Sequence, residues 1–363
     1  MKNFKIFIFT LPACCLLCFL FFVAMKFNTR FTELLNVNYP IIMAPMFLVS
    51  NEEMMKAALR SGVMGVFPTL NFRKESDLDA LLQRLNAYKL ENMGQKGNYG
   101  VNLIVQKTNP LYEKHLEICV RNKVPFYISS LGNPRKVIDE AHAYGAKVFC
   151  DVTNLEHAKK SFENGCDGFI AVGQGAGGHA GPYPLSVLIP SLHHHFPDKP
   201  VIAAGGIATG EAIIAMLASG ASGVSVGTRF IASAEATVSN DYKNAVVDSS
   251  MQDIVLSERI SGTPCTIINT PYAQKIGYKQ NGFEKYMSRN PRTKKYFKML
   301  VQLRGMKMLE RAVRPGNHDN LWCAGQSVEM IHDILTCEEI IQRLVKEMET
   351  GYSELAKSID SSQ

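Results

Sequence analysis

The sequence has few of the features that mark metal proteins, disulfide-rich domains or nucleic-acid-binding proteins. Six of the nine cysteines are scattered without CxxC or metal-ligand spacing, and isolated thiols are typical of a reducing compartment. The net charge is only +6 and is dispersed, which argues against a nucleic-acid surface. No GxGxxG opens a helix after the first predicted strand, which disfavours a Rossmann-like sheet. We therefore predict a cytoplasmic protein with no metal site and no nucleic-acid partner.

One long apolar run stands out at the N-terminus. Residues 6–25 carry no charge and are long enough to span a bilayer. Three interpretations are open: a transmembrane helix that anchors the chain to the inner face of a membrane, an upstream extension before a true start at Met25, or an export signal. We accordingly divide the chain into a hydrophobic segment (1–26), a ligand-binding barrel (27–250) and a mainly helical C-terminal extension (251–363).

Eight short runs of apolar or β-branched residues follow, each ending in turn residues and leading into a helical stretch. They cover residues 40–43, 63–67, 99–105, 126–129, 146–150, 168–172, 201–204 and 223–226. Continuous apolar runs indicate strands that are buried on both faces, as in a parallel sheet covered by helices. Eight such units in about 200 residues predict an α/β fold of the (β/α)8 TIM barrel type, with a Rossmann-like sheet as the alternative.

The most unusual stretch directly follows the sixth predicted strand. Residues 173–181 read Gly-Gln-Gly-Ala-Gly-Gly-His-Ala-Gly. This density of glycine indicates that the backbone approaches a ligand closely, and the carboxyl ends of barrel strands are where active sites form. His179 is the only ionisable side chain in the loop, and an imidazole titrates near neutral pH. His179 is therefore the candidate catalytic residue.

Two further glycine turns end the seventh and eighth predicted strands. They contain Gly205, Gly206 and Gly227, the last followed by Thr228. Glycine turns near a helix N-terminus direct backbone N–H groups at an anion. The pair predicts a phosphate site, but barrels that bind flavin mononucleotide (FMN) and barrels that bind phosphosugars both fit it.

Taken together, these loops resemble those of the nitronate monooxygenases, formerly called 2-nitropropane dioxygenases. The matching motifs lie at residues 40–46, 67–71, 100–103, 175–181, 203–207 and 227–230, with a return to the active site at 322–326. The resemblance implies an FMN-dependent TIM barrel that oxidises alkyl nitronates with dioxygen, yielding a carbonyl compound and nitrite.

The resemblance also implies roles for individual residues. By this resemblance, the flavin would lie against Ala44, Pro45 and Met46 and would contact Asn102 and Asp151. The phosphate would bind to the glycine turns. The residues expected to bind the phosphate are Gly178, Gly205, Gly206, Gly227 and Thr228. Asp151 has a second interpretation as the N-cap of the helix that begins near residue 154. His179 would accept the α-proton of a nitroalkane or, when protonated, stabilise the anionic nitronate.

A different enzyme class shares the same motifs. Flavin-dependent enoyl-acyl-carrier-protein reductases have the glycine loop, the phosphate turns and the barrel, but they consume NAD(P)H and reduce a double bond. The sequence separates the two classes poorly, so a nicotinamide-dependent reductase remains the alternative. The oligomeric state is also open, and a dimer is compatible with the sequence.

Overall fold

The computed structural model describes residues 25–92, 94–106, 108–260, 264–280, 282–289, 301, 304–305, 307–313 and 320–360. Its strands are β1 Ile41–Met43, β2 Met64–Pro68, β3 Asn98–Ile104, β4 Phe126–Ser130, β5 Lys147–Val152, β6 Gly168–Val172, β7 Gly178–His179, β8 Val201–Ala204, β9 Gly223–Val226, β10 Ile254–Ser257 and β11 Cys265–Ile268. Its α-helices are α1 Arg30–Leu35, α2 Glu52–Arg60, α3 Glu75–Glu91, α4 Tyr112–Arg121, α5 Arg135–His142, α6 Leu155–Glu163, α7 Leu185–His195, α8 Gly210–Ala218, α9 Thr228–Ile231, α10 Asn240–Asp248, α11 Pro271–Ile276, α12 Gly282–Arg289 and α13 Cys337–Asp360. Short 3-10 helices lie at Thr69–Asn71, Met251–Asp253 and Gln326–Met330.

Eight of these strands close into one parallel barrel in the order β1-β2-β3-β4-β5-β6-β8-β9. The barrel closes where β9 pairs with β1, with Ile42 opposite Ser225. Each strand is built from the apolar run that predicted it, and the residues point alternately into the barrel and toward the outer helices. The predicted TIM barrel is confirmed.

The amino-terminal half of the barrel interior is filled with aromatic side chains. Phe31, from the helix that precedes β1, is fully buried, and its ring centroid lies 6.3 Å from that of Phe149. Phe149 in turn packs edge-on against Phe126, with the ring centroids 5.1 Å apart. These rings fill the barrel interior at this end. A ligand that binds inside the barrel must therefore enter from the carboxyl ends of the strands.

Helix α2 begins after two polar residues, Ser50 and Asn51. Its N-cap is Asn51, whose side chain accepts a hydrogen bond from the backbone N–H of Met54. The Ser50 hydroxyl instead accepts a hydrogen bond of 2.9 Å from the N–H of Met46. Both residue types are good N-caps, and the turn after β1 already uses Ser50.

The C-terminal region adds a small sheet and a long helix to the barrel. Strands β10, β11 and β7 form a three-stranded antiparallel sheet above the barrel. Helix α13 packs on α8 and α2 through a buried apolar face that includes Ile341, Leu344 and Met348. The extension is thus helical at its end, but its first part contributes two strands that the sequence did not predict.

The predicted transmembrane helix is wrong on the structure. Across the described part of the chain, no helix is both long and apolar enough to cross a membrane. Even α13, with 24 residues, carries charged side chains such as Glu338 and Arg343. Residues 6–24 of the predicted segment lie outside the described residues, and Met25 begins the described chain. The transmembrane helix, and the membrane association that depended on it, therefore have no support in the fold.

Candidate active site

A cavity of about 490 Å³ opens at the carboxyl ends of the barrel strands. All eleven residues that the sequence singled out lie on its wall, although they come from several different strand ends and loops. They are Ala44, Pro45, Met46, Asn102, Asp151, Gly178, His179, Gly205, Gly206, Gly227 and Thr228. The barrel topology brings them together because all parallel strands end at the same rim.

The turn after β8 has the geometry of an anion site. Gly205 and Gly206 have φ angles of 122° and 71°, in the left-handed region that favours glycine. Within the described residues, neither backbone N–H donates to a protein acceptor. Helix α9, which begins at Thr228 beside this turn, has no side-chain N-cap. The unused donors at the cavity wall fit a bound phosphate.

The glycine loop after β6 packs tightly on the C-terminal segment that returns to the site. A Cβ atom on Gly177 would lie 2.8 Å from the backbone nitrogen of Gly325, so only glycine fits there. The Gly325 N–H donates to the hydroxyl of Thr228 at 3.0 Å. The loop, α9 and the returning segment therefore form one wall of the cavity.

His179 lies on a short strand and not in a free loop. Strand β7 pairs with β11, with His179 opposite Cys265 and Gly178 opposite Thr266. The Thr266 hydroxyl also donates to the carbonyl of Ala176 at 2.5 Å. These contacts fix the backbone under an exposed imidazole at the cavity wall. The sequence held no signal for this pairing, because the partner strand lies far along the chain.

A chain of polar side chains crosses the cavity floor. The Asn102 amide donates to the hydroxyl of Ser130 at 2.7 Å and to the carbonyl of Ile128 at 3.1 Å. Ser130 donates in turn to the carboxylate of Asp151. Ser130 was missed by the sequence analysis, although its position at the end of β4 is the signal that could have found it.

Asp151 belongs to this floor and does not cap a helix. The N-cap of α6 is Asn154, which accepts a hydrogen bond of 2.8 Å from the N–H of His157. Burial raises the pKa of Asp151 to about 6, and the hydrogen bond from Ser130 partly opposes that shift. The cavity therefore contains a carboxyl group whose pKa lies close to neutral pH.

This raised pKa predicts how stability depends on pH in the protein without a bound ligand. The favourable contribution of protonated Asp151 is complete below its unfolded pKa of about 3.9 and is lost as the pH rises through about 6. Asp151→Asn should therefore raise the free energy of unfolding at pH 8, by at most about 3 kcal/mol and less to the extent that cavity water screens the charge.

The check is thermal unfolding of the ligand-free protein between pH 4 and pH 8. Asp139→Asn, which removes an exposed carboxylate on α5 together with its ion pair to Arg135, serves as the control for the loss of a surface charge. The gain for Asp151→Asn should shrink toward zero on acidification. A gain of the same size at pH 4 and pH 8 would contradict the assignment.

The outer walls of the cavity are largely apolar. They are formed by the loops after the first four barrel strands and by C-terminal residues, including Phe47, Leu70, Leu111, Leu131, Leu309 and Leu321. At the mouth, Arg73 forms an ion pair with Glu310 and links the loop after β2 to the C-terminal segment. The cavity thus combines a polar floor, a turn suited to bind a phosphate, and apolar walls. This combination suits an organic ligand with one anionic end.

The sequence of the chain matches a known protein family. The profile of the nitronate monooxygenase family matches residues 72–347, which is more than half of the chain. The chain belongs to the nitronate monooxygenase family. Membership makes it a flavin-dependent oxidoreductase that acts on a small molecule.

Individual relatives of this family member carry more than one name. A probable nitronate monooxygenase of Staphylococcus saprophyticus is 27% identical, over 89% of this chain and 98% of that protein. A Rhodococcus jostii protein named (3aS,4S,5R,7aS)-5-hydroxy-7a-methyl-1-oxo-octahydro-1H-indene-4-carboxyl-CoA dehydrogenase is 24% identical, over 88% of this chain and 95% of that protein. The solved structure of FabK from Thermotoga maritima is 30% identical with a TM-score of 0.77, over 91% of this chain and 99% of that chain.

Proposed function

We propose that the protein is an FMN-dependent nitronate monooxygenase that oxidises alkyl nitronates with dioxygen to a carbonyl compound and nitrite. The observation that carries the proposal is the presence of His179 and the Gly205–Gly206 turn on one cavity in a member of this family. The imidazole supplies an acid–base group, and the turn on the same cavity supplies a binding site for the phosphate of a nucleotide cofactor.

The cofactor assignment follows the chemistry of the cavity wall. We assign the phosphate to the five residues of the glycine turns, because the backbone donors at Gly205 and Gly206 have no protein acceptor among the described residues. These five residues are Gly178, Gly205, Gly206, Gly227 and Thr228. We assign one phosphate to these turns, which favours FMN over a dinucleotide. When bound, the flavin supplies a two-electron acceptor that reacts with dioxygen.

The other assigned residues would hold the flavin ring. Ala44, Pro45 and Met46 follow β1 with small and apolar groups that suit a ring face. Asn102 offers an amide at the floor, and its hydrogen bonds to Ser130 and to Ile128 fix the orientation of that amide. Asp151 offers a carboxylate whose charge near neutral pH depends on its surroundings.

His179 has a separate task for each form of the substrate. With a neutral nitroalkane, the imidazole accepts the proton from the carbon that bears the nitro group. With a preformed nitronate, no proton has to leave carbon, and a protonated imidazole balances the negative charge of the nitro oxygens. The apolar walls limit water beside these groups and strengthen the electrostatic interaction.

The test is a product assay with purified protein and propane-2-nitronate in air. We expect consumption of dioxygen together with formation of nitrite and acetone, and no requirement for a nicotinamide cofactor. Flavin-free protein serves as the control, because any oxidation of the nitronate without the enzyme's flavin must be subtracted. Equal rates with flavin-loaded and flavin-free protein would contradict the proposed activity.

A further inference from the structure

Two cysteine side chains lie on the same cavity as His179 and have no role in the proposed reaction. Cys265 belongs to β11, and Cys323 belongs to the C-terminal segment that returns to the site. Ile267 forms an antiparallel bridge with Cys323, so Cys265 and Cys323 lie on one face as diagonal neighbours. The Cys265 side chain lies close enough to Cys323 to lower the pKa of the Cys323 thiol.

The two thiols differ in the direction of their pKa shifts and in exposure. The neighbouring Cys265 side chain lowers the pKa of Cys323, although burial acts in the opposite direction. The pKa of Cys265 is raised by its contact with Cys323 and by burial. Because the thiolate is the nucleophile, Cys323 is the reactive member of the pair and Cys265 the protonated one. Cys323 is also the more accessible, since Cys265 is only 2% exposed.

We propose that Cys323 and Cys265 form a peroxide-sensitive dithiol that closes to a disulfide within the cavity. The Cys323 thiolate attacks one oxygen of hydrogen peroxide, the O–O bond breaks, and hydroxide leaves and is protonated to water. Cys265 then loses its proton and attacks the sulfur of the resulting sulfenic acid. The S–S bond forms, the S–O bond breaks, and a second water leaves. Two thiols are oxidised by two electrons, and one peroxide is reduced to two waters.

Closing the disulfide changes the position of the catalytic candidate. Diagonal neighbours in an antiparallel pair have Cα atoms about 7–8 Å apart. A disulfide bridges Cα atoms about 4.4–6.8 Å apart. Closing the disulfide would draw β11 toward Cys323, and β7 would move with it because Cys265 pairs with His179. Oxidation of the two thiols should therefore lower the turnover of nitronate, and reduction of the disulfide should restore it.

The barrel wall contains a matched internal control. The side chain of Cys166 also lies close enough to Cys150 to raise the pKa of the Cys150 thiol. Both are buried, at 3% and 0% exposure, and neither lies on the active-site cavity. This second pair has a comparable sulfur contact without access to a solute. A difference in oxidation rate between the two cysteine pairs therefore reports the solute access and the lowered thiol pKa of the cavity pair.

The experiment exposes the flavin-loaded protein to hydrogen peroxide and then blocks free thiols with an alkylating reagent at acidic pH. Peptide mass spectrometry measures the state of all four cysteines. We expect a Cys265–Cys323 cross-link that forms at least about tenfold faster than any oxidation of Cys150 or Cys166. Turnover should fall in step with the cross-link, and dithiothreitol should restore both.

Two variants separate the steps. Cys265→Ser should stop at a sulfenic acid on Cys323, which a 1,3-diketone probe captures. Cys323→Ser should form neither the sulfenic acid nor the cross-link. The wild-type comparison needs neither variant to fold well. Equal oxidation rates for the two cysteine pairs, or a cavity pair that stays reduced while the flavin remains bound, would overturn the proposal.

Discussion

His179→Ala and His179→Asn are expected to lower turnover of a neutral nitroalkane by about 10²- to 10⁴-fold, the range for a positioned acid or base. The carbon acid must lose a proton before its electrons can leave. Among the residues that line the cavity, His179 is the imidazole that the paired strands β7 and β11 hold in place. Neither replacement can accept a proton at neutral pH, and Asn keeps a similar shape.

The same variants should behave differently with preformed nitronate. The proton has already left this substrate, so only the electrostatic support of a protonated imidazole is lost, and the decrease should be much smaller. Flavin content should stay unchanged because backbone groups are assigned to the phosphate. The ratio of the two losses therefore isolates the proton-transfer role.

The matched control is His195→Ala. His195 ends α7 on the far side of the barrel and hydrogen bonds to the carbonyl of Ser191. This variant should retain turnover with both substrate forms. The measurement is steady-state turnover of nitroalkane and nitronate by all variants. Equal losses of His179→Ala with both forms, or negligible losses with both, would remove the base role.

Gly206→Leu is expected to yield protein with little or no bound flavin. At a φ of 71°, an L-residue is strained, and its side chain would enter the cavity wall where the phosphate is assigned. Losing hydrogen bonds to a charged phosphate, each worth about 1.5–3 kcal/mol, should weaken flavin affinity by about 10²-fold or more. The measurement is the flavin-to-protein absorbance ratio, followed by titration with FMN and with FAD.

Gly145→Leu is the control for backbone strain alone. Gly145 has a φ of 88° and lies in the turn between α5 and β5, away from the cavity. A Cβ atom at this position would meet no atom within 4 Å, so the substitution adds strain without a clash. Both variants should lose comparable stability, but only Gly206→Leu should lose flavin. Full flavin content in Gly206→Leu would remove the phosphate assignment, and equal flavin loss in both would reduce it to a stability effect.

The sequence predicted the parts of the molecule that depend on local pattern. Continuous apolar runs predicted all eight barrel strands, because a strand covered on both faces cannot alternate with polar residues. The eleven site residues meet at one cavity because parallel strands share a rim. Once the barrel was predicted, the location of the candidate site followed from topology.

The features that the sequence missed depend on distant contacts. The pairing of His179 with Cys265 joins a glycine loop to a strand beyond the barrel, and no local periodicity indicates such a partner. Ser130 joins Asn102 to Asp151 only because β3, β4 and β5 are adjacent. The predicted transmembrane helix rested on apolar length alone, and the described chain offers no helix of that kind.

The most direct test of the central claim is reduction of the bound flavin in the absence of air. Purified protein is mixed anaerobically with propane-2-nitronate or with NADH, and the visible absorbance of the flavin is followed. The nitronate monooxygenase account predicts rapid bleaching by the nitronate, recovery of absorbance when dioxygen is admitted, and little change with NADH. Rapid bleaching by NADH with none by the nitronate would contradict it and would favour the nicotinamide-dependent reductase.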